Sequence, residues 1–312
     1  MTTIGVLGCG LMGAGIAQVS AAAGLRTIVL EVNEAVLARG LGRIEKFLAT
    51  SVEKGKMTAD EKARLLANLS GTTAYADLKD CDLVIEAIVE NVDVKRQAYA
   101  AVEAVVGPHC LLATNTSSLC VTELAASTTR PDRFGGLHFF NPVPLMKLVE
   151  VIRALTTSDA THQALFAFAQ ALGKEPVTAP DRGGFIVNRL LIPYMLDAIR
   201  CLEGGLGTVE DIDTAMKLGC GHPVGPLALA DLIGLDVVYA MSKLLYADFR
   251  DARYKPPSIL RRLVQQGHLG KKTGLGLYDY SVDPPRANED IWRIVRHDGL
   301  EVIGLSGGAH AA

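Results

Sequence analysis

Apolar and polar positions alternate in blocks along the first 182 residues. "TIGVLGCGLMGAGIAQVSAAAGLRTIVLE" predicts a strand, a tight glycine turn, a helix and a second strand ending at Glu31. Asn33 is placed to cap a helix running to about Lys54, and "TADEKARLLANL" sets Thr58 three residues before Glu61, the spacing of a capping box. "CDLVIEAI" (81–88) is a continuous apolar strand with Glu86 and Glu90 at its polar end; a helix over 94–106 and the strand "CLLATNT", ending in polar residues at 114–118, follow. "RFGGLHFF" and "KLVEVIR" read as two short strands joined by a turn at Pro142 to Pro144, before a helix over 160–172 and a strand near "EPVTAP". Repeated strand and helix alternation predicts an α/β domain built on a doubly wound, mostly parallel sheet. From Phe185 onward only helical periods remain, so a smaller all-α domain is expected to follow. The expected division is 1–182, 183–282, and a polar, then Gly/Ala-rich tail over 283–312 that is loosely held.

Composition narrows the possible partners. The chain has 312 residues, 49% hydrophobic and 21% charged, with a net charge of −3, enough to bury one sizeable core or two modest ones. Without a long Lys/Arg block it lacks the basic face that releases counterions from nucleic acid or anionic membranes, so neither partner is expected. The cysteines (Cys9, Cys81, Cys110, Cys120, Cys201 and Cys220) form no CxxC pair, so neither a metal site nor a disulfide framework is signalled. Met1 leads straight into an apolar strand with no cleavable leader pattern, and no apolar run reaches membrane-spanning length; a cytoplasmic protein with reduced thiols is the expectation.

In a doubly wound sheet, ligands bind beyond the carboxyl ends of the strands, where Gly8, Glu31, Glu90, Asn115 and Ser117 fall. Gly8, Gly10 and Gly13, with Leu11 and Met12 among them, have dinucleotide-loop spacing. One glycine turns the chain, one lets a pyrophosphate approach the backbone, and one lets helix and strand pack closely. A carboxylate at Glu31 accepts ribose hydroxyls and repels a 2′-phosphate, which favours NAD over NADP. An exposed glutamate at a strand end is the plain alternative.

His138 and Glu150 are the titratable groups of an otherwise apolar run, "GLHFFNPVPLMKLVEV" apart from Lys147. If the turn brings them together, the carboxylate holds the imidazole in one tautomer and stabilises its protonated form, as a general base for an alcohol proton requires. A structural ion pair gives the same sequence pattern. Ser117, in "TNTSSL", and Asn188, in the first turns of the helix opening the second domain, are candidates to hydrogen-bond a substrate oxygen from opposite walls of an interdomain cleft. Capping a helix, for Ser117, and facing solvent, for Asn188, are the alternatives.

Taken together, "GCGLMGAGIAQ", "NTSSL", "GLHFFNPVPLMKLVEV", "GFIVNRLLIPY", "DIDTAMKLG", "GHPVGPLALADLIGLD" and "GKKTGLGLYDY" resemble the short-chain L-3-hydroxyacyl-CoA dehydrogenases, bacterial 3-hydroxybutyryl-CoA dehydrogenases in particular, over about residues 3–281. The resemblance implies a Rossmann-like first domain and a homodimer built through the helical one. It makes His138 the catalytic base, Glu150 its orienting partner, and Ser117 and Asn188 the groups that hold the 3-oxygen. It assigns NAD to the Gly8–Gly13 loop and Glu31, with further cofactor contacts at Glu90, Lys95, Asn141 and Lys272, and a coenzyme A contact at Lys54. Lys54 and Lys56 equally suit a solvated charged turn. Phe47 stands where animal members carry a coenzyme-A-contacting serine, a departure from the pattern. Relatives that oxidise non-thioester hydroxy acids, such as gulonate dehydrogenase and the lens crystallin, share much of this framework. A non-catalytic dinucleotide-binding protein is the reading from another class; it has no physical reason to retain a buried charged pair.

Overall fold

In the computed structural model, which describes residues 1–291, the apolar runs of the first half pair into one eight-stranded sheet. In chain order the elements are β1 (Thr3–Leu7), α1 (Leu11–Ala22), β2 (Arg26–Leu30), α2 (Glu34–Glu53), α3 (Ala59–Ala67), β3 (Leu69–Thr72), β4 (Leu83–Glu86), α4 (Val92–Glu103) and β5 (Leu111–Thr114). Then come α5 (Val121–Ala126), β6 (Phe134–Phe139), β7 (Leu148–Arg153), α6 (Asp159–Ala171) and β8 (Glu175–Pro180). The strand order is β3-β2-β1-β4-β5-β6-β7-β8. All neighbours are parallel except β6 and β7, so the last two strands run against the rest. The order reverses between β1 and β4, which opens a crevice beyond their carboxyl ends.

Local chemistry explains the boundaries. Asn33 Oδ1 accepts the Val36 amide at the start of α2, and Thr58 and Glu61 close a reciprocal capping box on α3. β3, Leu-Ser-Gly-Thr, has no apolar signature; it is an edge strand held by backbone pairing to β2.

Strand parity divides the core between the two faces of the sheet. Ile4, Val6, Leu83, Ile85, Leu137, Val149 and Val151 pack on one face with α1, α2, α3 and α6. Leu7, Val84, Leu112, Phe134 and Ile152 pack on the other with α4 and α5. Glu86, Thr114, His138 and Glu150 have the parity of the second set, and this decides what they meet.

The chain divides after Phe185. The second unit contains α7 (Val187–Glu203), α8 (Val209–Cys220), α9 (Pro226–Ile233), α10 (Leu235–Phe249) and α11 (Ser258–Gln265) around its own apolar core. The single helical period of "GPLALADLIGLDVVYAMSKLL" is two helices, because Gly234 at φ +106 breaks the path between α9 and α10. A small antiparallel hairpin, β9 (Tyr278–Asp279) with β10 (Arg286–Ala287), departs from the all-helical expectation. It also corrects the loose tail expected from 283. Over 286–291 the chain is anchored, because Asn288 and Ile291 are buried and the Ala287 amide donates to Glu210. The remainder of that tail, 292–312, lies outside the described residues. Among the described residues no helix is long and apolar enough to cross a membrane.

Burial sorts the thiols. It pushes Cys9 up to about 11, with the Glu31 carboxylate adding to the effect, and Cys81 and Cys110 up to about 12. Cys120 and Cys220 are exposed. Alkylation of the native protein at pH 8, read by peptide mass spectrometry, is expected to modify Cys220 and Cys120 and to spare Cys9, Cys81 and Cys110. Labelling of Cys9 as fast as Cys220 would contradict this packing.

Candidate active site

Each glycine of the loop after β1 has a different task. Gly8 sits at φ +92, and a Cβ there would lie 2.8 Å from the Ala87 carbonyl oxygen; at Gly13 it would lie 2.0 Å from the Gly8 carbonyl oxygen. At Gly10 it would meet nothing within 4 Å. Gly8 and Gly13 are therefore required by the protein's own packing, whereas Gly10 leaves space that a ligand can enter. Helix α1 starts at Leu11 with no side-chain cap and no acid in its first turn, so its leading N–H groups suit an anion such as a pyrophosphate. Leu11 is exposed and Met12 half-buried beside them.

Glu31, immediately after β2, bends back to the same loop. Its Oε1 accepts the Cys9 amide at 2.6 Å and its Oε2 accepts the Val32 amide at 3.0 Å. A carboxylate offers about four acceptor sites, so about two remain for ribose hydroxyls. The residues present thus fit an adenine dinucleotide without a 2′-phosphate.

Beyond β4 and β5 lies a buried polar cluster. Lys95 is 1% exposed, and its ammonium donates to Glu86 at 2.6 Å and Glu90 at 3.1 Å. The resemblance put Lys95 on the cofactor; in the fold its ammonium is taken up between these two carboxylates. Burial alone would raise the Glu90 carboxyl, but Lys95 and the hydroxyls of Ser118 and Thr116 outweigh it and hold the group below its ordinary range. Ser117 is half-buried between those two hydroxyl residues. Asn115 Oδ1 accepts the Phe139 amide at 2.9 Å, tying this segment to β6 next to His138.

His138 and Glu150 stand directly opposite each other in the antiparallel β6–β7 ladder, and Nδ1 lies 2.7 Å from Oε2. Glu150 is fully buried and His138 is 5% exposed. With Nδ1–H donating to the carboxylate, Nε2 is the basic nitrogen. The imidazole is flanked by the rings of Phe140 and Phe185, with centroids 4.6 Å and 5.4 Å away. The intervening turn is closed by Leu145 and Met146 amides donating to the Pro142 carbonyl. It is also pinned by Lys174, between the end of α6 and β8, whose Nζ donates to the carbonyls of Val143 at 2.6 Å and Met146 at 2.9 Å. Burial lowers the Lys174 amine from its ordinary range. Asn141 lies exposed at the start of the turn.

Three further expected residues lie elsewhere in the chain. Lys54 is exposed at the end of α2. In the second unit, Asn188 is half-buried in the first turn of α7, and Lys272 donates to Asp236 at 2.5 Å. Sequence reasoning gave no part to Glu86, Lys174, Phe140 or Phe185. A signal for Glu86 was present: a lone carboxylate ending a wholly apolar strand must find partners.

A doubly wound sheet with an open glycine at an uncapped helix start, a carboxylate turned back to that loop and a buried His–Glu pair fits an NAD-dependent oxidoreductase. Comparison identifies the family. Residues 3–182 match the NAD-binding domain of 3-hydroxyacyl-CoA dehydrogenases, and residues 184–280 match their C-terminal domain. The chain is 47% identical over 279 residues to a 3-hydroxybutyryl-CoA dehydrogenase of Mycobacterium tuberculosis, covering 89% of this chain and 98% of that one. It is 44% identical over 278 residues to one from Clostridioides difficile, covering 89% and 99%. The crystal structure of (S)-3-hydroxybutyryl-CoA dehydrogenase from Ralstonia eutropha superposes with a TM-score of 0.87 at 47% identity, over 90% of this chain and 100% of that one. A diketoreductase acting on dicarbonyl compounds superposes at 0.80 with 30% identity, over 90% and 99%. The chain belongs to the 3-hydroxyacyl-CoA dehydrogenase family, and its cofactor is NAD.

The loop geometry separates binding from packing. Gly10→Ala should weaken NAD binding about tenfold or more while leaving Tm unchanged; Gly13→Ala should also lower stability by about 1–3 kcal/mol, because its methyl meets backbone. Calorimetric titration beside thermal melts checks both, and a Gly10→Ala protein with normal NAD affinity would remove the loop from the cofactor. Glu31→Ala is expected to weaken NAD about tenfold, the worth of one charge-assisted hydrogen bond, and to relax rejection of NADP in the same titration.

Proposed function

We propose that this chain catalyses the reversible oxidation of an L-3-hydroxyacyl-CoA to the 3-ketoacyl-CoA, with short acyl groups such as 3-hydroxybutyryl as substrate. The observation that carries this reading is the His138–Glu150 pair, 2.7 Å apart and shielded from water, at the end of the sheet that carries the NAD loop. His138 Nε2 takes the hydroxyl proton. Glu150 keeps Nδ1 protonated and stabilises the imidazolium as it forms. Ser117 and Asn188 donate to the oxygen as charge develops on it. NAD supplies the hydride acceptor. The names of the bacterial relatives support a thioester substrate of this length.

The second unit is read as the substrate and dimerisation domain. Leu190, Leu206 and Leu218 are 69%, 79% and 82% exposed there, surface that supports a homodimer. Lys54 is read as a coenzyme A phosphate contact and Asn141 and Lys272 as cofactor contacts. Free cysteines throughout support a reducing, cytoplasmic setting. A non-thioester substrate is the second reading, favoured by the likeness to the diketoreductase and by Phe47 in place of a coenzyme-A-contacting serine.

Steady-state assays across a chain-length series of 3-ketoacyl-CoA esters with NADH, set against free 3-hydroxy acids with NAD, separate the two. Turnover confined to the free acids would sink the first. His138→Gln is expected to bind NAD normally and lose about 10²- to 10⁴-fold in kcat, the range of general acid–base catalysis. Glu150→Gln should lower kcat as well; a loss of Tm alone would make the pair structural.

A further inference from the structure

Glu86 is fully buried, and its acceptor capacity is spent within the protein. Oε1 accepts the Ile88 amide at 2.8 Å and the Lys95 ammonium at 2.6 Å; Oε2 accepts the Tyr99 and Thr114 hydroxyls, each at 2.9 Å. Two branches leave this carboxylate. One passes through Lys95 to Glu90, which accepts the hydroxyls of Thr116 and Ser118, the latter at 2.6 Å. The other passes through Thr114, whose Oγ1 accepts the Thr116 amide at 3.1 Å. The branches close on Thr116 and Ser118, the two neighbours of Ser117, while Ser117's own hydroxyl carries no hydrogen bond among the described residues. Thr116 Oγ1 further accepts the Ser118 and Leu119 amides, which locks the backbone on the far side.

Burying a lysine between two carboxylates is a poor route to stability, since an apolar filling of the same shape serves as well or better. What such a ring supplies is one fixed geometry. We propose that Glu86 is a positioning residue for the reaction: through Lys95 and Glu90 on one side and Thr114 on the other, it holds the 116–118 segment so that Ser117 Oγ meets the substrate oxygen. This rests on the reading of Ser117 as a donor to that oxygen.

A double-mutant cycle on the full-length protein, with acetoacetyl-CoA and NADH, tests it. Glu86→Gln keeps the side chain's shape and removes its charge. It is expected to lower kcat about tenfold or more while changing KM for acetoacetyl-CoA less, and to lower kcat by no more than about twofold when Ser117 is already alanine. Equal losses in both backgrounds would overturn the proposal, because a general loss of structure is additive with Ser117→Ala. If Glu86→Gln does not fold, Thr114→Val breaks the second branch without touching a charge, and the same cycle is run with it; additivity there is equally fatal. Should Ser117→Ala alone leave kcat unchanged, the reading of Ser117 fails, and Glu86 loses its role with it. That result is distinct from additivity on top of a damaging Ser117→Ala.

Discussion

Side chains along a strand alternate between faces, so the meeting of His138 with Glu150 depends on the register of β6 against β7 to the single residue. A slip of one position would turn Glu150 into the apolar layer beneath α1 and α6, where Val149 and Val151 now lie, and leave the imidazole without its acid. Register here is set at two places. Val149, Val151, Leu137 and Phe139 must face the same layer, and the turn between the strands is closed by amides on the Pro142 carbonyl and by Lys174 on two others. The hydrophobic pattern chooses the face, and the turn chooses the residue.

The same parity places a second group of buried charges in the sheet unit. Glu86 and Thr114 are register partners on β4 and β5, and both face α4, from which Lys95 and Tyr99 reach back to them. Neither of these two sheet acids stands alone: Glu150 has His138, and Glu86 has an ammonium, two hydroxyls and an amide. An uncompensated carboxylate in such layers would be strongly destabilising, so each pairing is a condition of folding as well as a resource for chemistry. Glu86, Thr114 and His138 lie toward the carboxyl ends of their strands, and Glu150 toward the amino end of the antiparallel β7, so both clusters are at the same end of the sheet, the end at which the crevice between β1 and β4 opens.

Much of this could be read along the chain. Alternating apolar runs announced a parallel sheet, Asn33 and the Thr58–Glu61 pair marked helix starts, and the Gly8–Gly13 spacing with Glu31 pointed to a dinucleotide. These signals are local: each depends on residues within one or two turns, or on the one strand–helix–strand unit, and backbone sterics translate them directly. The histidine and the acid were legible as candidates because a proline-braced turn between two apolar pieces leaves few ways to arrange them. The break of α9 from α10 at Gly234, the polar edge strand β3 and the anchoring of 286–291 were not legible, since a weak or absent apolar period is overridden by distant partners.

What the sequence determined by itself was the order of elements, the cofactor loop and the residue types able to do the chemistry, because propensity, capping and periodicity act over short spans of chain. Only the tertiary structure decided that His138 faces Glu150 across a ladder, that Lys95 is enclosed between Glu86 and Glu90, and that Lys174, from the connection between α6 and β8, pins the turn. Those contacts join residues between 5 and 31 positions apart. Strand register and sheet order set them, and both come from packing the whole core at once.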